Sequence, residues 1–278
     1  MTNADGPPPA ADARSWDPDQ YRRFAEQRAQ PFHDLLEMLG AIGSGGGPTA
    51  RAVDLGCGPG ELTALAAERF GVEEMIGLDH SSSMLAAAAE HARPGVGFEL
   101  ADISTWTSAA DRDLIIAAAS LQWVADHPAV LERWIAALRP GGRVAVQVPA
   151  NSHAATHVVA DRLARSQAYR GAFGVAGPPA DPVAEHVLRP DEYARVLHRQ
   201  GLVDITVHLR VYPHVLPTPR HAVEWVKGTT LTRFREVLEP EVYEPFLLDY
   251  ERELLAELGS DEPLFFPFSR ILFVARRP

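Results

Sequence analysis

Between residues 51 and 148, short apolar runs alternate with stretches in which apolar positions recur every three or four residues. The runs near 51–56, 74–79, 97–101, 114–119 and 143–148 predict strands, and the periodic stretches near 61–70, 82–92 and 129–137 predict helices. Such alternation implies a parallel sheet joined by right-handed crossovers. Farther on, 190–201 reads as a helix, 202–212 as a strand and 271–275 as a last strand. The expected fold is therefore α/β, with a seven-stranded, mostly parallel sheet.

Two segments do not fit a bare sheet. Residues 149–188 hold His157, Arg165, Tyr169, Arg170, Phe173 and His186 among glycines and prolines. Residues 213–259 read as helices carrying Trp225, Phe234, Tyr243, Phe246 and Tyr250. Both are expected to be cap insertions over the carboxyl edge of the sheet, where open α/β sheets bind ligands. At the other end, Tyr21, Phe24, Arg28 and Phe32, then Leu35, Leu36 and Leu39, recur at helical spacing until the linker GSGGGP at 43–48. The expected organisation is a disordered leader at 1–14, a helical segment at 15–47 covering the sheet edge, and a main domain at 48–278.

Composition narrows the class. The chain has 278 residues, 46% of them hydrophobic, enough to fill one sizeable core and additions to it. Its 26 basic and 37 acidic residues give a net charge of −11, which disfavours nucleic acid and anionic membrane as partners. A small anion remains compatible, because a local arginine cluster reverses the sign of one pocket. The N-terminus lacks the basic and apolar regions of a signal peptide, and no apolar run approaches the roughly 18 residues of a membrane span. Cys57 is the single cysteine, so no internal disulfide or multi-cysteine metal site exists, and a reducing cytoplasm is the simplest compartment. It reads as a small buried filler, with a reactive thiol as the alternative. No metal is expected; the sequence leaves the oligomeric state open and is compatible with a monomer.

The densest chemistry lies at 52–61, Ala-Val-Asp-Leu-Gly-Cys-Gly-Pro-Gly-Glu, followed by a helical run and Ile76-Gly77-Leu78-Asp79. Strand, glycine turn, helix and a second strand ending in a carboxylate build a nucleotide or nucleoside site. Gly56, Gly58 and Gly60 permit positive φ and let a ligand lie against main-chain N–H groups. Asp79 falls 23 residues after Gly56, where its carboxylate accepts both hydroxyl hydrogens of a ribose. A dinucleotide fingerprint anchored at Gly56 and Gly58 needs Gly or Ala at position 61, where this chain has Glu61. Pro59 and the lack of a following Lys-Ser/Thr exclude a phosphate-gripping P-loop.

What remains, Asp54-Leu55-Gly56-x-Gly58-x-Gly60, resembles motif I of class I S-adenosylmethionine-dependent methyltransferases, whose fold is a Rossmann-like seven-stranded sheet. On that resemblance Asp79 takes the ribose, while Asp102 and Ile103 read the adenine through a carboxylate and a backbone N–H. Asp102 as a helix N-cap is the alternative. Met84 lies against the adenine or fills the core, and Trp123 covers the ligand or fills a groove. The small residues Ala117–Ser120 let the methionine portion pass, with the Ala119 carbonyl as acceptor for its amino group. Arg28, on one helical face with Tyr21 and Phe24, either grips the methionine carboxylate or is a solvated surface arginine. Asp54, Cys57, His80 and Ser120 complete the expected donor site.

A narrower resemblance covers about 16–277. Trp16-Asp17-Pro18, YRRFAEQRAQP at 21–31, VDLGCGPG, ASLQWVADH at 119–127, AVQVPAN at 145–151, Thr156-His157 and Arg270-x-x-Phe273-Val274-Ala275-Arg276-Arg277 are together similar to the trans-aconitate 2-methyltransferase family. This implies S-adenosyl-L-methionine as cofactor, S-adenosyl-L-homocysteine as product and a small carboxylate as acceptor. Methylation of a carboxylate oxygen needs no general base, because that group is ionised at neutral pH, so no catalytic residue beyond positioning groups is expected. The candidates for substrate contact are Tyr21, Trp123, His157, His186, Tyr212, His214, Trp225, Lys227, Thr229, Arg233 and Arg270, each with a solvated or structural role as its alternative. Three other readings stand beside this one: methylation of another small metabolite, a non-catalytic S-adenosylmethionine binder, and an NAD-dependent enzyme.

Overall fold

A computed structural model describes residues 25–40 and 50–278; the side chains of 25–28 are not part of that description. The expected leader, Tyr21 and the 43–48 linker lie outside the described residues. After helix α1 (Ala25–Leu39), the chain alternates β1 (Arg51–Leu55), α2 (Glu61–Phe70), β2 (Glu74–Asp79), α3 (Ser82–Ala88), β3 (Val96–Leu100), β4 (Arg112–Ala118), α4 (His127–Ala136) and β5 (Leu138–Pro149). The order in the sheet is β3-β2-β1-β4-β5-β7-β6, with β7 (Leu264–Arg276) antiparallel to both its neighbours and β6 (Val203–Leu216) at the edge. Strands β1 to β5 pair in parallel. The chain runs outward from β1 to β3 and returns to β4 on the other side of β1. That reversal opens a crevice at the carboxyl ends of β1 and β4.

Local chemistry explains the element ends. The αL conformations of Gly60 and Gly71 bracket α2. Ser81 caps α3 by accepting from Met84 N, and Asp126 caps α4 by accepting from Ala129 N, with Pro128 in the first turn. Apolar side chains bury both faces of the sheet. Phe32, Leu35, Leu36 and Leu39 of α1 pack on one, and Trp134 of α4 with Tyr193 of α7 (Pro190–Arg199) on the other.

The last two strands are longer than their apolar runs suggest. Proline at 213 argues for a strand end, yet β6 continues to Leu216 and pairs with a β7 that begins at Leu264. Pro213 and Pro267 stand directly opposite each other, at a pair where neither residue has to donate a ladder hydrogen bond. This two-stranded extension rises beyond the sheet and carries Phe266 and Phe268 into the core of the cap. Around them pack α5 (Ala155–Ala164), α8 (Arg220–Lys227), α9 (Thr232–Arg235) and α10 (Pro240–Leu258). The short helix α6 (Pro182–His186), begun by Asp181 as N-cap, packs on the Leu121–Trp123 turn that follows β4.

Candidate active site

The glycine turn after β1 is built for its own packing as much as for a ligand. A Cβ on Gly56 would sit 2.2 Å from Ser120 Cβ, and one on Gly60 would meet Phe98 and Ala88 at 2.8–2.9 Å. Gly58 alone of the three, at φ +55°, would direct a Cβ into open space. The turn's N–H groups are already engaged, contrary to the expectation that they face a ligand. Gly56 N and Cys57 N donate to Leu78 O, Gly60 N donates to Cys57 O, and Gly58 N donates to Asp79 Oδ2 at 2.9 Å. Asp79 Oδ1 accepts from Ser81 N, also at 2.9 Å. Each Asp79 oxygen thus retains acceptor capacity on its outer side.

A cavity of about 700 Å³ opens from this turn. Gly56, Gly58, Asp79, His80, Met84, Asp102 and Ile103 line it, together with Ala119, Ser120 and Trp123. Asp102 Oδ1 also accepts from Ser104 N, so the carboxylate shapes its own loop as well as the cavity wall. Asp54, Cys57 and Gly60 line a smaller recess behind the turn, with Phe32 of α1, rather than the main cavity. Asp54 accepts from Thr63 Oγ1 at 2.6 Å, and burial pushes its carboxyl up to about 6. Burial also raises the Cys57 thiol far above its ordinary range, the direction expected of a buried filler. Arg28 lies on α1, and its side chain falls outside the description.

A second, smaller chamber of about 80 Å³ lies under the cap. Trp123, His157, Trp225, Thr229, Arg233 and Arg270 line it, joined by Gln122, Asn151, Asp181, Thr230 and Phe268, which the sequence reading did not single out. Ala119 and Trp123 belong to the walls of both spaces. Ala119 has φ +55°, a conformation that non-glycine residues adopt at a cost, and its carbonyl accepts from Gln122 Nε2 at 2.7 Å.

Two guanidinium groups and one carboxylate set the charge of this chamber. Arg270 donates to Gln147 Oε1 at 2.9 Å and lies 4.9 Å over the Phe268 ring. Arg233 is held by Asp161 Oδ1 at 2.7 Å and by the Thr230 and Pro179 carbonyls, each at 3.2 Å. Asp181 Oδ2 lies 2.7 Å from His157 Nδ1. Burial works to raise the Asp181 carboxyl, but the bond to His157 and the nearby charges outweigh it and hold the group below its ordinary value.

Four expected substrate contacts lie elsewhere. His186 is not among the residues lining the chamber; its Nδ1 is 3.1 Å from the Gln122 carbonyl. The Tyr212 hydroxyl donates to Asp34 of α1 at 2.7 Å, so its polar end is engaged by α1. His214 lies against Trp225, the rings tilted by 37° with centroids 4.9 Å apart, and is not among the residues lining the chamber. Lys227 pairs with Glu224 on its own helix. Tyr21 lies outside the described residues.

Residues 52–142 match a family described as a methyltransferase domain. Across nearly the whole chain, the trans-aconitate 2-methyltransferase of Deinococcus radiodurans is 40% identical over 95% of this chain and 99% of its own. That of Streptomyces avermitilis is 38% identical over 95% and 97%. The chain belongs to the trans-aconitate 2-methyltransferase family. Solved structures share its fold: the YcgJ protein of Bacillus subtilis, at TM-score 0.55 and 14% identity over 88% of this chain and 97% of that one, is one. Another is phosphoethanolamine N-methyltransferase 2 of Haemonchus contortus, solved with phosphomonomethylethanolamine and S-adenosylhomocysteine, at TM-score 0.54 and 18% identity. It matches 98% of this chain, which spans 61% of its length. In this member of the trans-aconitate 2-methyltransferase family, several of these further lining residues carry signals in the sequence. Asp181 precedes Pro182 as a helix cap, Asn151 follows β5 by two residues at the carboxyl edge, and Gln122 lies within the SLQW run.

Proposed function

We propose that the protein is a carboxyl O-methyltransferase that forms the monomethyl ester of trans-aconitate or a similar small polycarboxylate. Its methyl donor is S-adenosylmethionine, which supplies a methyl group activated by attachment to a sulfonium. The larger cavity suits that donor in its chemistry. Asp79 offers acceptor oxygens to ribose hydroxyls, Asp102 and Ile103 offer a carboxylate and backbone to an adenine edge, and Gly58 leaves space where a side chain would project. Arg270 and Arg233 supply cations for carboxylates in the smaller chamber.

The observation that carries this reading is the wall shared by the two spaces at Ala119 and Trp123. A donor and an acceptor held in these two spaces are neighbours across that wall. The residues of the site hold and orient; none has to remove a proton, since a carboxylate is already ionised at neutral pH. Trp123, Trp225 and Phe268 exclude water around the acceptor. Incubation with methyl-labelled S-adenosylmethionine and a panel of mono-, di- and tricarboxylates tests the proposal. A base-labile labelled ester, formed fastest with trans-aconitate, is expected; no turnover of any polycarboxylate would refute it.

A further inference from the structure

One face of the two-stranded extension of β6 and β7 is apolar where it meets solvent. Residues directly opposite each other in an antiparallel pair share a face, as do residues two apart along a strand. Leu264, Phe266 and Phe268 therefore turn together into the cap core, with Leu216 across from Leu264. The other face carries Leu209, Val211, Pro213 and Val215 of β6, and Phe265 and Pro267 of β7. Leu209 is 59% exposed, Val211 53%, and the opposed pair Val215 and Phe265 62% each. Both prolines are exposed as well. Helix α7 covers this side only as far as Val207 and Ile271, which pack with its Tyr193 and Leu197.

Exposed positions of the same strand are not apolar by default. On the face of β6 that carries Tyr212, the exposed residues are Thr206, His208 and Arg210. A sheet with one wet side alternates apolar-in and polar-out, whereas the extension is apolar on both sides. Together the six residues leave on the order of 500 Å² of apolar surface in water, near the upper end for a monomer and typical of an interaction surface. None of the six is charged, so a charged partner has nothing to pair with there. Strand addition at the open edge of β6 is interrupted too, because Pro213 has no N–H to give.

A second copy of the chain has the matching shape. Along β7 the face runs Phe265, Pro267, Ser269, from a bulky residue to a small one, and Ser269 stands opposite Val211. A two-fold axis lying across the extension at the Pro213–Pro267 pair sets Phe265 of each copy over Ser269 of the other, and Val215 over Val211. The bulky end of the face then meets the small end twice, as an isologous contact requires. Such a contact buries on the order of 1,000 Å² in total, the area at which specific interfaces begin. We propose that the protein is a two-fold dimer in which two β6–β7 extensions pack face to face through these residues. Phe268 and Arg270 leave β7 on its opposite face, so the acceptor chamber stays clear of the contact.

Sedimentation velocity on the full chain, from about 1 to 100 µM, tests this. A dimer that dissociates on dilution or persists throughout is expected, with or without S-adenosylhomocysteine. Val211→Lys combined with Phe265→Lys puts like charges into the contact from both copies and should raise the dissociation constant about 100-fold or more. Thr206→Lys, on the polar face, should leave the dimer unchanged. S-adenosylhomocysteine affinity checks that each variant is folded. If the double lysine variant does not fold, Val215→Ala combined with Phe265→Ala takes its place and should weaken the dimer about 10-fold or more. A wild-type protein that stays monomeric at every concentration would overturn the proposal and leave the face to another cover. A dimer that the folded face variants leave intact would overturn it as well.

Discussion

The Tyr193 hydroxyl lies 2.7 Å from His127 Nδ1 beneath the Leu121–Trp123 turn, and His127 Nε2 lies 2.9 Å from the Leu121 carbonyl. A carbonyl only accepts, so Nε2 carries the hydrogen and Nδ1 accepts from the tyrosine. The ring is therefore held neutral and in one tautomer, under the turn that places Gln122 and Trp123 in the site.

Acid should loosen the protein through this histidine. Burial lowers His127 to about 4, against an ordinary value of 6.5. Between those values the unfolded chain binds a proton that the folded one does not, so stability is fully present above about pH 6.5 and falls as pH drops towards 4. A shift of this size corresponds to roughly 3 kcal/mol at most. His214, depressed to about 4 by burial and then by the Arg270 charge, acts in the same direction. Urea unfolding at pH 7.5 and pH 5 should show the loss, and His127→Gln should reduce the proton uptake on unfolding by about one. An unchanged pH slope would contradict the assignment.

Asp79 should control donor binding. Asp79→Asn keeps the shape and one acceptor but leaves a weaker partner for ribose hydroxyls, and should weaken S-adenosylhomocysteine binding by about 1.5–3 kcal/mol, roughly 10- to 150-fold. Asp79→Ala also removes the acceptor for Gly58 N and Ser81 N, so thermal stability should fall with affinity. Calorimetry together with a melting curve separates the two effects.

The glycines should divide by cause. Gly56→Ala forces a Cβ to 2.2 Å from Ser120 Cβ at φ +84° and should cost about 3 kcal/mol of stability or more. Gly58→Ala meets only the strain of a left-handed backbone, about 1 kcal/mol, but projects a methyl into open space and should lose donor affinity out of proportion to stability. Equal stability losses in the two variants would contradict this division.

Arg270 should matter to the acceptor and little to the donor. Arg270→Gln is expected to raise KM for trans-aconitate about 100-fold or more while S-adenosylhomocysteine affinity changes less than about twofold. Steady-state kinetics with parallel binding measurements gives the answer, and an unchanged KM would remove Arg270 from the substrate site.

The donor side was readable because its chemistry is local. Glycine spacing, an acidic strand end and a helical run all fall within 52–79, so backbone rules apply directly. Even there, satisfaction of the turn's N–H groups by Leu78 O was hidden, since it depends on the neighbouring strand. The acceptor side depends on pairings distant in sequence. Tyr212 and His214 looked like site residues while β6 was expected to end near them; with Pro213 paired to Pro267, one side chain turns to Asp34 and the other to Trp225. His157 and Asp181 meet across 24 residues that carry no regular strand, where periodicity has nothing to report.

The unbroken course of β7 bears on how acceptors reach the chamber. One strand carries Phe266 and Phe268 in the cap core, Arg270 in the chamber and Phe273 in the sheet core. A cap stitched to the sheet in this way cannot swing open about that side as a rigid flap without breaking the ladder to β5 or β6. Entry and exit must therefore depend on smaller displacements of surrounding segments. The preference for an acceptor is then set by a fixed mould rather than by the closing of a jaw.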